Sequence, residues 1–108
     1  GLPYYFPHSP ASDVHGKIIS ATEGINEVGR YSVVVVNVGV RDGIEPGHVL
    51  RVFRHKGMAK DPITGEDYEI PDESTGLLMV FRTFDKLSYA LVMKTSRPLH
   101  VFDAVATP

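Results

Sequence analysis

The chain has 108 residues, no cysteine and no tryptophan, and 11 Lys plus Arg against 13 Asp plus Glu for a formal charge of −2. That is one domain of ordinary size. It excludes a disulfide scaffold, a thiolate-ligated zinc site and any thiol nucleophile, and the acidic balance argues against a protein that grips nucleic-acid backbones. A hydrophobic fraction of 43% with 22% charged residues is too apolar for disorder.

The longest unbroken apolar run is Val33-Val34-Val35-Val36, far short of the roughly 18 residues a spanning helix needs. Gly1-Leu2-Pro3-Tyr4-Tyr5 lacks the basic start and apolar stretch of a signal peptide. With no initiator Met, the expectation is a fragment of a larger protein. Residues 1–13 read as an extended lead-in, because Pro3, Pro7 and Pro10 fix φ and bias their predecessors towards extended backbone. Tyr4, Tyr5 and Phe6 are expected to pack that segment against the domain, and they are the first candidate binding surface.

Residues 14–108 read as a single all-β domain. Val14 to Thr22 is a first strand, and Glu23 to Gly29 punctuates it with two glycines. Tyr31 to Val38 is β-branched and aromatic, which suits a pleated surface and disfavours a helix. The lack of alternation there predicts a strand covered on both faces. Gly39, Asp42, Gly43, Pro46 and Gly47 then form two successive turns, with Ile44 between them expected in the core. His48 to Arg54 alternates like a half-buried strand, Leu50 and Val52 opposite Val49, Arg51 and Phe53. A polar excursion over 55–74, read as a surface hairpin or loop, is punctuated by the turn residues Asp61, Pro62 and Gly65. Gly76 to Phe84 and Leu87 to Lys94 read as a hairpin turned by Asp85-Lys86. Leu99 to Val105 reads as a short closing strand. The sum is a small barrel or sandwich of about six to seven mostly antiparallel strands with a long turn-rich excursion.

Motifs for catalysis are missing. No two of His8, His15, His48, His55 and His100 stand at the spacings that place neighbouring imidazoles on one ion. Asp67, Glu69, Asp72 and Glu73 sit in the polar excursion, where carboxylates serve solvation. No G-x-S-x-G is present, and the glycines at 39–47 lack the Lys-Ser/Thr and the helix of a phosphate loop. No catalytic residue, metal ligand or cofactor is therefore expected. Arg54, His55, Lys56 and Lys60, with Arg51 nearby, form a modest basic cluster. It reads as a solvated strand end or as a second candidate binding surface for an anionic partner.

Four segments carry a resemblance. These are Leu2-Pro3-Tyr4-Tyr5-Phe6-Pro7, the run from Val36 to Leu50, the Asp61-Pro62-Ile63-Thr64-Gly65 turn, and Pro71-Asp72-Glu73-Ser74-Thr75-Gly76-Leu77-Leu78-Met79-Val80-Phe81-Arg82. In this order they resemble the C-terminal region of bacterial LysM-domain envelope proteins, which bind peptidoglycan. The LysM module itself, a unit with a helix pair, is not visible in the chain. The resemblance implies a periplasmic or cell-envelope location and an accessory, non-catalytic interaction domain. Peptidoglycan would be held by a LysM module outside this chain, with another envelope protein as a further partner. Direct glycan or peptidoglycan binding by this domain is the alternative, and a cell-wall hydrolase the second. Neither a nucleic-acid partner nor a membrane span is expected.

Overall fold

The computed structural model describes residues 6–21, 27–28 and 31–108. Ten strands are present among the described residues: β1 (His15–Ala21), β2 (Glu27–Val28), β3 (Val33–Val36), β4 (Val49–Arg54), β5 (Met58–Lys60), β6 (Asp67–Glu69), β7 (Glu73–Thr83), β8 (Ser88–Thr95), β9 (Leu99–His100) and β10 (Ala104–Ala106). Six of them close an antiparallel barrel in the order β1-β10-β4-β7-β8-β3, with β3 returning to β1. Two small sheets stand outside it, β2 with β9 and β5 with β6. No helix among the described residues is long and apolar enough to cross a membrane.

The barrel follows from period-two patterning with its smaller apolar residues inward. Ile18, Val34, Val36, Leu50, Val52, Leu78, Val80, Ala90, Val92 and Val105 fill the interior. On β8 the inward residues are Ser88, Ala90 and Val92, while Tyr89 and Leu91 are half-buried and Met93 is exposed. A six-stranded cylinder is too narrow for a full set of large side chains, so the bulkier face of β8 lies outside. The same holds on β3. Val34 and Val36 are buried, but Val33 and Val35 are only half-covered, so the expectation of a strand buried on both faces gives way to a one-sided barrel strand. Val14, Val38 and Ile44 join the core from the connecting segments, and Leu99 from β9. The hydroxyl of buried Ser88 donates to the Val38 carbonyl at 2.8 Å, which removes the cost of sealing it inside.

The glycine-rich stretch forms a short 3-10 turn, Val40–Asp42, capped by Gly43 in the left-handed region (φ 82°). Asp42 folds back so that its carboxylate accepts the Gly39 N–H at 2.9 Å. Val40 and Arg41 donate to the carbonyls of Phe84 and Asp85, tying this turn to the β7–β8 turn. Ile44 is buried, as its position between two turns predicts. The turn at 61–65 is also present: the Asp61 carboxylate accepts the N–H groups of Ile63 and Thr64 at 2.8 and 3.3 Å. Those two amides hold the Asp61 carboxyl below its ordinary range.

Two expectations need correction. The excursion ends at residue 72, just before β7 begins at Glu73, although its β5–β6 hairpin is one of the two forms, hairpin or loop, expected for it. Leu99 to Val105 is not one strand. It splits into β9 and β10 around a turn with Phe102 at φ 75°. Asp103 makes that turn: its carboxylate captures the His100 N–H at 2.8 Å, and its own N–H bonds the His100 carbonyl at 3.0 Å. An Asp side chain that bonds nearby backbone competes with a strand ladder.

Candidate functional site

Among the candidate surface residues, Arg54, His55 and Lys56 come together where β4 leaves the barrel, and Lys60 lies apart on β5. Tyr4 and Tyr5 fall outside the described residues. Phe6 is exposed and contributes its carbonyl to His8 rather than a packed ring.

Arg54, His55 and Lys56 each have a carboxylate partner within the chain. The Arg54 guanidinium bonds both oxygens of Asp103 at 3.2–3.4 Å, the Pro98 carbonyl at 2.6 Å and Nδ1 of His100 at 3.1 Å. His55 Nδ1 lies 2.8 Å from the Asp72 carboxylate. Lys56 and Arg97 share Glu73 at 2.5 and 3.0 Å, and Lys56 foremost holds that carboxyl below its ordinary range. Arg51 lies over the Phe53 ring, 4.2 Å from its centroid. Of the cations that look free in sequence, Arg54 is therefore matched by Asp103 from the turn before β10 and Lys56 by Glu73 from the start of β7, while Asp72 bonds His55.

Beside this network is a cleft of about 360 Å³ lined by Lys17, Phe53, Arg54, His55, Phe102, Asp103 and Ala104. Lys17 comes from β1, Phe53 and Arg54 from the end of β4, and Phe102 and Asp103 from the turn before β10. His55 packs edge-on against Phe53, with ring centroids 5.3 Å apart. Phe102 is 71% exposed although it occupies a left-handed backbone conformation. A bulky residue at positive φ is strained, and such strain persists only where the surroundings enforce it. Here the Phe102 N–H donates to the Ile18 carbonyl at 2.7 Å and the Ile18 N–H to the Asp103 carbonyl at 3.0 Å, which sew the turn onto β1. Lys17 forms no ion pair among the described residues. The cleft thus offers an exposed aromatic face, an unpaired ammonium and a fixed Arg–Asp pair. That combination suits a ligand with an apolar C–H face and an acidic group.

A second cluster joins residues remote in sequence. His8 forms an isolated parallel bridge with His48, and their rings meet edge-to-face at 4.6 Å. Glu45 Oε1 lies 3.2 Å from His8 Nε2 and 3.5 Å from His48 Nε2. Spacing rules miss this pair because the backbone bridge, and not a shared strand or helix, brings the imidazoles together. The turn Glu45-Pro46-Gly47-His48 is the sequence signal that could have joined Glu45 to His48, since it returns residue i+3 to residue i.

Comparison of the sequence with protein-family models and with curated proteins gave no match. The class established is that of the fold, a closed six-stranded antiparallel β-barrel domain with a projecting hairpin.

Proposed function

We propose that this barrel is a non-catalytic interaction module of a peptidoglycan-associated, periplasmic envelope protein, and that the Phe102 cleft seats an acidic glycan. One observation carries the reading: an aromatic ring is held out to solvent at a backbone cost, beside a Lys17 with no ion pair among the described residues. Sugar rings present C–H faces that stack on aromatic rings, and the acidic substituents of cell-wall glycans match an ammonium. The resemblance of the four sequence segments to LysM-protein C-terminal regions supports the location and the ligand class.

The test is retention of the 108-residue chain on insoluble peptidoglycan, beside a Phe102→Gly variant. Glycine tolerates φ 75°, so the substitution relieves about 1–2 kcal/mol of strain and costs about 0.5–1 kcal/mol of chain entropy. The melting temperature is expected to hold or rise, while retention falls at least about fivefold, the loss of roughly 1 kcal/mol of stacking. Equal retention of both proteins would sink the cleft assignment. If neither is retained, the alternative stands in which a LysM module outside this chain makes the peptidoglycan contact. Clearing of peptidoglycan in a zymogram would overturn the non-catalytic reading.

A further inference from the structure

The lead-in reaches the barrel through His8. The His8 N–H donates to the Gly47 carbonyl at 3.0 Å, and the Val49 N–H donates to the His8 carbonyl at 2.7 Å. Above this backbone bridge lies the chain Phe6 carbonyl, His8 ring, Glu45 carboxylate, His48 ring. Hydrogen-bond polarity fixes where the protons are. His8 Nδ1 sits 2.7 Å from the Phe6 carbonyl, which can only accept, so Nδ1 carries a hydrogen. His8 Nε2 faces Glu45 Oε1, which also only accepts when ionised. Both ring nitrogens of His8 are thus satisfied as donors, which is the imidazolium form.

The logic at His48 is the reverse. Its Nδ1 accepts the Glu45 backbone N–H at 3.2 Å, so that nitrogen has no hydrogen. The ring hydrogen is on Nε2, 3.5 Å from Glu45 Oε1, and His48 is neutral and buried. Three ligand-type side chains with atoms within 4.8 Å suggest a metal centre. The proton positions argue otherwise, because His48 Nε2 has no lone pair to give while Nδ1 is engaged with the amide.

We propose that His8, Glu45 and His48 form a two-sided pH fastening that holds the lead-in on the barrel within a limited pH window and releases it in both acid and alkali. Alkali removes a proton from His8 and leaves the lone pair of its Nε2 facing the Glu45 carboxylate. Acid adds a proton to His48 Nδ1, which then faces the Glu45 N–H, donor against donor, while a second cation forms beside His8. Among the described residues, the charged or titratable groups facing His8 are Glu45 and His48, and those facing His48 are His8 and Glu45.

The directions of titration agree. The Phe6 carbonyl and Glu45 raise the His8 value above its ordinary 6.5. Burial, and then the charge of His8, lower that of His48 below 6.5. A raised value means stabilisation that is full below pH 6.5 and is lost as pH rises through the folded value. A lowered value for a neutral imidazole means stabilisation that is full above pH 6.5 and is lost as pH falls through the folded value. Docking is therefore strongest near pH 6.5. The fastening is independent of the cleft and of the glycan reading.

Amide hydrogen exchange on the 108-residue chain tests it, with the Val49 N–H as reporter because its acceptor is the His8 carbonyl. Expressed as a protection factor, so that intrinsic pH dependence is divided out, Val49 should peak near pH 6.5. It should fall severalfold towards acid and again towards alkali, as the two directions of titration require. Barrel amides such as Val52 should stay flat. His8→Gln, at an exposed site, should remove the alkaline fall and leave the acid one, and Glu45→Gln should weaken the alkaline fall. A flat Val49 profile, or a peak shared by Val52, overturns the proposal. So does a rise in Val49 protection on adding zinc that Glu45→Gln abolishes, which would make the cluster a metal site.

Discussion

A Gly39→Ala variant is expected to lose about 3 kcal/mol of stability, the upper end for forcing extra atoms into a packed site. A β-carbon at this position would stand 2.3 Å from the Phe84 carbonyl oxygen, 2.7 Å from that of Asp85 and 2.8 Å from the Leu87 nitrogen. All three are backbone atoms of one tight turn, so no side chain can rotate away. Relief would require the 39–42 turn to part from the β7–β8 turn, which breaks the bonds from Val40 and Arg41 to that turn. At about 4–8 °C per kcal/mol for a domain near this size, the melting temperature should fall by about 12–24 °C. Gly43→Ala is the informative control. Its β-carbon would meet only the Ser12 hydroxyl, at 3.9 Å, but the backbone there has φ 82°. The cost should be that of a left-handed alanine, about 1 kcal/mol. Equal losses at both positions, read by thermal melts, would refute the steric account of Gly39.

The second large effect is expected at Arg54. Replacing it with leucine should cost about 2–3 kcal/mol, because Asp103 would keep its charge with only 9% of its side chain exposed. The Asp103 carboxylate also holds the His100 N–H, so the damage reaches the turn that presents Phe102. Replacing both residues, Arg54→Leu with Asp103→Asn, should recover a substantial part of the loss, since asparagine can still accept from the His100 N–H without a buried charge. A double variant no more stable than Arg54→Leu, measured by urea denaturation, would show that the stability resides in the Arg54 bonds to Pro98 and His100 instead. A cation held this firmly is scaffold for the cleft. Its side of the cleft should bind ligand through Phe102 and Lys17.

How much of this was legible in the sequence depends on how far apart the interacting residues lie. The β-branched run at Val33–Val36 and the paired segments either side of Asp85-Lys86 announce themselves because strand propensity and alternation are local. The turns at Gly43 and at Asp61-Pro62 are legible for the same reason, since a few adjacent residues dictate their geometry. Closure of the barrel is another matter. Nothing local in His15-Gly16-Lys17 says that its partners are Ala106, Val105 and Ala104. The basic cluster was legible as a cluster, but the carboxylate partners of Arg54, His55 and Lys56 were not, because Asp72, Glu73 and Asp103 arrive only once β7 and β10 flank β4. Phe102 was hidden inside an apolar segment that resembles a strand. Its positive φ comes from the Asp103 carboxylate and the bonds to Ile18, neither of which leaves a sequence signature. The pairing of His8 with His48 was invisible because two backbone bonds between distant segments create it.

The seam between β1 and β10 has a mechanical consequence. Its three register pairs, His15 with Ala106, Gly16 with Val105 and Lys17 with Ala104, join the first and last barrel strands antiparallel. The two chain ends therefore leave the barrel side by side, where Val14 and Thr107 still bond each other at 2.8–3.1 Å. Tension between the ends would load these bonds one after another, as in opening a zip, instead of shearing them together. On the lead-in side, the His8 contacts would be the first to take the strain. Under pull, the fold should open from this seam at low force, while the β4-β7-β8 meander, secured by its own turns, stays assembled.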